Sequence, residues 1–145
     1  MITHISIVSV FVKDQDAAKK FYVDVLGFEE KDDIRLGDYR WCTVVHPTQP
    51  ELQVNLSVPG PPHSPDMVEA MKRAMDGGGM AGLGLTVDDC HATVADLKAK
   101  GVEFVQDPQE RPYGVEAVCR DNSGNWMVLV EQRPYDPAQM AEAAQ

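Results

Sequence analysis

Four histidines, His4, His46, His63 and His91, are the side chains of this chain best suited to bind a transition metal or move a proton near neutral pH. With Glu51 and Glu131 they would make a dispersed donor set. His46 and His63, however, border proline-rich turns, and His91 falls in the first turn of an expected helix, where a solvated imidazole is the ordinary state. Glu51 and Tyr113, the latter between Pro112 and Gly114, are the one pair suggested for metal-free acid–base work. No Ser-His-Asp or Cys-His spacing is legible, and the run Gly77 to Gly79 lacks the Lys-Ser/Thr continuation of a phosphate loop. Cys42, Cys90 and Cys119 are odd in number and far apart, which predicts reduced structural thiols. Trp41 and Trp126 point to different chemistry, the stacking of a flat or cationic ligand on an aromatic face. Met67, Met71 and Met75 recur at helical spacing, with Met80 close behind. They form either a buried stripe or a soft lid that adapts to a ligand.

The elements that must position these groups repeat along the chain. Ile5 to Val12 reads as a strand of mostly β-branched residues. It is followed by Lys13-Asp14-Gln15-Asp16, a helix carrying Ala17, Ala18, Phe21, Tyr22, Val25 and Leu26, and a stop at Gly27. The pattern returns as Leu83 to Val87, Asp88-Asp89, a helix with Ala92, Val94, Ala95 and Leu97, and Gly101. Asp14 and Asp89 are placed to accept hydrogen bonds from the unpaired N–H groups of each helix start. Gly27 and Gly101 are placed for the left-handed stop. Strand-like runs follow each helix: Glu29 to Ile34, Trp41 to His46 and Glu51 to Val58 in the first half, then Val102 to Gln106, Val115 to Arg120 and Trp126 to Glu131 in the second.

Each half therefore reads β-α-β-β-β, and the fold class is α+β, two tandem βαβββ modules whose curved mixed sheets surround a central cavity. One domain over residues 1–132 is expected, with module 1 at 1–58, a turn-rich linker with a short helix near Met67 to Met75 at 59–80, and module 2 at 81–132. An Ala- and Gln-rich tail, 133–145, should be a frayed or peripheral helix. A helix protects one face of each sheet, so function is expected on the other.

The 145 residues, 43% hydrophobic, suit one ordinary core. A net charge of -10 repels a phosphate backbone, which argues against nucleic acid. No apolar run approaches the roughly 20 residues of a membrane span, and the chain is read as cytoplasmic.

The stretches Val10 to Phe28, Gly84 to Asp89, Lys100 to Phe104 and Arg120 to Trp126 resemble the vicinal-oxygen-chelate superfamily of glyoxalases, bleomycin-resistance proteins and extradiol dioxygenases. The pattern D-x-x-x-A-x-x-F-Y-x-x-x-L-G-F, from Asp14 to Phe28, and the turn R-D-x-x-G-N, from Arg120 to Asn125, carry the resemblance in this order. It implies the fold more strongly than any activity, since the superfamily holds metal-dependent lyases, isomerases and dioxygenases as well as metal-free antibiotic binders. Metal-binding relatives carry a Glu at the position of Val128 and His near the positions of Ile7 and Gly82. None of these three side chains donates electrons to a divalent ion. Gln53 and Asn55 offer neutral oxygens at best on the corresponding first-module strand. His4, three residues before Ile7 on the same strand, faces the other way.

Strand alternation then assigns the cavity lining: Ile7, Ser9, Phe11, Trp41, Thr43, Gln53, Asn55, Gly84, Thr86, Trp126 and Val128, with Met71 and Tyr113 at the rim. The expected function is metal-free binding of an antibiotic or other aromatic natural product, conferring resistance by sequestration, with no cofactor. The ligand would be a small aromatic or cationic molecule held between Trp41 and Trp126. A glyoxalase-like lyase, isomerase or dioxygenase with a displaced metal site is the rival, and the resemblance implies a homodimer.

Overall fold

The computed structural model describes residues 1–143. The chain divides into two compact units, one of 1–82 with 121–125 and the other of 83–120 with the described residues from Trp126 onward. In sequence, Asp121 to Asn125 lie inside the second repeat, but they pack with the first unit.

In the first unit, β1 (Ile7–Phe11) is followed by α1 (Gln15–Asp24), then β2 (Glu29–Leu36), β3 (Tyr39–His46) and β4 (Gln49–Ser57). The strand order is β1-β4-β3-β2, with β1 parallel to β4 and the remaining pairs antiparallel. α1 lies on one face of this sheet, where Ala18 and Tyr22 pack among the buried side chains of Val10, Cys42, Val44, Val54 and Leu56. α2 (Pro65–Asp76) follows β4. Ser64 caps it by accepting the N–H of Met67, and proline occupies its first turn, where no N–H is needed.

The second unit repeats the order, completing β5 (Ala81–Thr86) and adding α3 (Cys90–Ala99), β6 (Phe104–Arg111), β7 (Gly114–Arg120) and β8 (Trp126–Gln132). Its sheet runs β5-β8-β7-β6. Val94 and Leu97 of α3 are buried, as are Ala117, Cys119, Met127 and Leu129 at alternate strand positions. In the expected tail, 133–136 are extended or irregular and lead into the helix α4 (Pro137–Ala143), and 144–145 lie outside the described residues.

The helix signals read from the sequence hold atom by atom. Asp14 accepts the N–H of Ala17 at 2.8 Å and Asp89 that of Ala92 at 3.0 Å. Gly27 and Gly101 sit at φ of +83° and +86°, a region that side chains with a Cβ resist.

Strand bounds shift by about two residues: β1 covers only Ile7–Phe11 of the expected Ile5 to Val12, while β3, β4 and β5 each begin two residues before the expected start. β2 runs two residues past Ile34, and β6 begins at Phe104 and reaches Arg111. Both are sheet edges, where charge is tolerated and alternation is diluted. In β2 the charges are also partnered. Asp33 accepts from Arg40 and from Lys19 of α1, which holds its carboxyl well below the usual carboxylate range. Among the described residues, no helix is long and apolar enough to cross a membrane.

Candidate functional site

The face of the first sheet opposite α1 carries every first-unit strand residue singled out by alternation. Ser9 pairs with Asn55 and Asn55 with Thr43, so three polar side chains stand in a row across β1, β4 and β3. Beside that row, Ile7 pairs with Gln53. Thr43 is fully buried, donates to Gln53 Oε1 at 2.9 Å and accepts the N–H of Asp32. Asn55 Nδ2 donates to Ser9 Oγ at 3.3 Å. Toward β2, Trp41 pairs with Ile34, and its indole N–H donates to Asp32 at 3.3 Å. The result is a floor of neutral hydroxyls and amides flanked by Ile7, Ile34 and Trp41, with the Asp32 carboxylate at its β2 side.

Phe11 closes one end of this face. Its ring lies 5.5 Å from that of His63, centroid to centroid. This corrects the expectation of a solvated His63: the imidazole is half-buried and shares with Ser64, Met67, Met71 and Met80 the lining of a pocket of about 500 Å³. The methionine stripe divides. Met67 is exposed and Met71 buried at this pocket, whereas Met75 lines a separate groove of about 420 Å³ with Val12, Val58, Pro59 and the Lys13–Asp76 ion pair. Met71 and Met75 are buried, as the stripe reading expects, while Met67 is exposed, and the stripe does not line a single pocket. One helical turn advances by slightly less than four residues, so a stripe at i, i+4, i+8 rotates around the helix.

In the second unit, Trp126 and Val128 lie on the β8 face opposite α3, while Met127 and Leu129 are buried on the helix side. Val118 pairs with Val128 and Glu116 with Val130, extending this face across β7. Gly84 and Thr86 are exposed on β5. Tyr113 does not meet Glu51, the expected acid–base partner. Its hydroxyl instead makes a short hydrogen bond to Glu116, which also accepts from Gln106 and lies 3.7 Å from the Arg111 guanidinium. That hydrogen bond, with burial, pushes the phenol above its ordinary value. Glu116 and Gln106 escaped the sequence reading because a charged residue in a strand carries no mark of the loop tyrosine that will fold over it. The three-residue spacing from Tyr113 to Glu116, reaching across the start of β7, was the available signal.

The remaining candidate donors are dispersed or engaged. Glu131 accepts the N–H of Cys90 at the start of α3 and pairs with Arg133. His46 bonds Thr48, His4 bonds Thr3, and His91 and Glu51 are exposed. Among the described residues, no three His, Cys, Asp or Glu side chains converge on a point where a metal would sit. At the superfamily's metal positions, Ile7, Gly82 and Val128 provide no donor atom, so these residues do not fit a divalent ion. Burial pushes the thiols of Cys42 and Cys90 up, the reverse of what a nucleophilic thiolate needs.

Comparison with known proteins matches this geometry. The family model of the Glyoxalase/Bleomycin resistance protein/Dioxygenase superfamily covers residues 2–129. YurT of Bacillus subtilis (strain 168), an uncharacterized protein, is 34% identical over 88% of this chain and 98% of its own length. The crystal structure of UcmS2 superposes with a TM-score of 0.83 at 39% identity, covering 91% of this chain and all of that one. The crystal structure of TnmS3, described as an antibiotic binding protein from Streptomyces sp. CB03234, gives 0.72 at 30% identity over 91% of this chain and 98% of the other. With repeat, caps, sheet order and turn all in place, the chain belongs to the glyoxalase/bleomycin resistance protein/dioxygenase superfamily.

Proposed function

We propose that this protein binds a small aromatic or planar natural product, an antibiotic in the leading case, and confers resistance by sequestering it without turnover. The observation that carries the reading is the chemistry of the first sheet's open face. Its neutral hydroxyls and amides, with Ile7, Phe11 and Trp41 around them and the methionine-lined pocket beyond His63, offer stacking and hydrogen bonding but no converging acid, base and nucleophile. The likeness to TnmS3 supports the same class of ligand. On the second sheet, Trp126, 39% exposed beside Val128, presents an indole to a ligand where metal-binding relatives carry a carboxylate. A homodimer working in the cytoplasm belongs to the proposal.

The test is a calorimetric screen of planar antibiotics, read alongside tryptophan fluorescence and native mass spectrometry. Saturable binding of one ligand per chain, quenched indole emission and recovery of the ligand unchanged are expected. Trp126→Ala should weaken binding by roughly 1 to 3 kcal/mol, the usual worth of one aromatic stacking partner. Binding by Trp126→Ala and Trp41→Ala as tight as the parent's would overturn the aromatic contribution. The rival reading, a glyoxalase-like lyase or isomerase, draws on the Tyr113–Glu116 pair. Product formation that Glu116→Gln abolishes would establish it in place of sequestration.

A further inference from the structure

The ring of His63 is half-buried against Phe11, and neither of its nitrogens has a hydrogen-bond partner among the described residues. It shares its pocket with three thioethers, those of Met67, Met71 and Met80, and with Ser64, whose Oγ is engaged in accepting the N–H of Met67. Met67 and Met71 are one helical turn apart on α2, so their side chains are neighbours, and Met80 joins them from beyond the glycine turn that ends the helix. Met67 is 52% exposed and open to a solute, while Met71 is buried behind it. Among the described residues, no carboxylate or thiol lines this pocket. A neutral imidazole keeps one nitrogen lone pair free, which makes it a metal ligand wherever other donors stand close by.

We propose that His63, Met67, Met71 and Met80 form a binding site for a soft monovalent cation, Cu(I), held by one imidazole nitrogen and three thioether sulfurs. The donor set decides the ion. Calcium and magnesium need oxygen ligands, and structural zinc draws on thiolates, imidazoles or carboxylates, whereas thioethers select Cu(I). Each methionine turns about three side-chain bonds, so the sulfurs close on an ion without movement of the backbone. All four donors are neutral, and the net charge of -10 on the chain favours the approach of a cation. The site lies apart from Ile7, Gly82 and Val128, the positions at which the superfamily holds its divalent metals, and it does not depend on the antibiotic-binding reading.

The test titrates Ag(I), a redox-stable stand-in for Cu(I), into the full chain in chloride-free buffer, followed by NMR of 13C-labelled methionine methyl groups and of the His63 ring. One ion per chain should bind, shifting Met67, Met71, Met80 and His63 together while Met75 and Met127, which lie elsewhere, stay in place. Cu(I) added without oxygen should move the same signals. Met71→Leu keeps the volume but removes the donor, and it should weaken binding at least about tenfold, since even the loss of a group that only supports a ligand costs that much. Met67→Leu, at an exposed position, makes the same comparison if the buried variant does not fold. The thiols of Cys42, Cys90 and Cys119 are the competing soft donors, and all three are fully buried. Silver bound with the three methionine signals unmoved would place it on those thiols and overturn the proposal. So would affinity unchanged in both leucine variants, displacement of silver by equimolar Zn(II), or the absence of saturable binding.

Discussion

The phenol of Tyr22 in α1 donates a 2.8 Å hydrogen bond to the carboxylate of Asp121, 99 residues away in sequence. Tyr22 is fully buried and Asp121 nearly so. The carboxylate also accepts the N–H groups of Ser123 and Asn125 and the Asn125 side-chain amide, whose Nδ2 reaches on to the carbonyl of Phe11. Both halves of the recognised sequence pattern, the F-Y of the helix and the D-x-x-G-N of the turn, thus meet in one buried network of the first unit. Tyr22→Phe keeps the ring but leaves a buried carboxylate one donor short. It should lower stability by about 1 to 3 kcal/mol, read from urea unfolding midpoints. An unchanged midpoint would mean that water replaces the phenol without cost.

The equivalent caps should behave equivalently. Asp14→Ala and Asp89→Ala each remove one acceptor from a helix start and should each cost about 1 kcal/mol in thermal or chemical melts, with ligand affinity unaltered. Loss of binding by Asp89→Ala at unchanged stability would move Asp89 into the site.

Asp33 gives the fold a defined acid sensitivity. Arg40 first, and then Lys19, hold its carboxyl below the ordinary value of 3.8. A depressed folded value means the stabilisation is fully present above that ordinary value and is lost as pH falls below it toward the folded one. The side chain is 25% exposed, so solvent screening keeps the contribution to about 1 kcal/mol. Asp33→Asn should be less stable than the parent by that amount at neutral pH, and the difference should shrink in acid and in high salt. A difference that persists at strongly acidic pH would show that the substitution acts through packing.

Glu116 should be visible in the titration of Tyr113. The hydrogen bond it accepts favours the neutral phenol, so Tyr113 should ionise above pH 10 in the parent and return toward that ordinary value in Glu116→Gln. Phenolate absorbance, with Tyr113→Phe subtracted to isolate one of the four tyrosines, measures it. An identical titration in both proteins would place the carboxylate away from the hydroxyl in solution.

The order of elements, the two caps, the two glycine stops and the sorting of strand residues by face were legible in the chain itself. Each depends on local rules: a carboxylate three residues ahead of an N–H, a glycine at positive φ, and a side-chain period of two. Alternation was enough to put Ile7, Ser9, Phe11, Trp41, Thr43, Gln53 and Asn55 on one face, because neighbouring strands in register keep paired residues on the same side. The absence of donor side chains at the superfamily's metal positions was likewise readable from residue identity alone.

Partnership between side chains was not. Whether His63 meets water or Phe11, whether Tyr113 finds Glu51 or Glu116, and which methionines share a pocket depend on distances between segments that no local pattern encodes. The ion pairs of Asp33 in the edge strand β2 are of the same kind, since Arg40 and Lys19 arrive from other elements. Asn55, whose buried Oδ1 has no hydrogen-bond donor among the described residues, is the clearest case. Its identity is fixed by sequence, but its isolation exists only once Ser9 has taken its N–H and Thr43 has turned its own proton to Gln53, and hydrogen bonds between strands are settled by tertiary register.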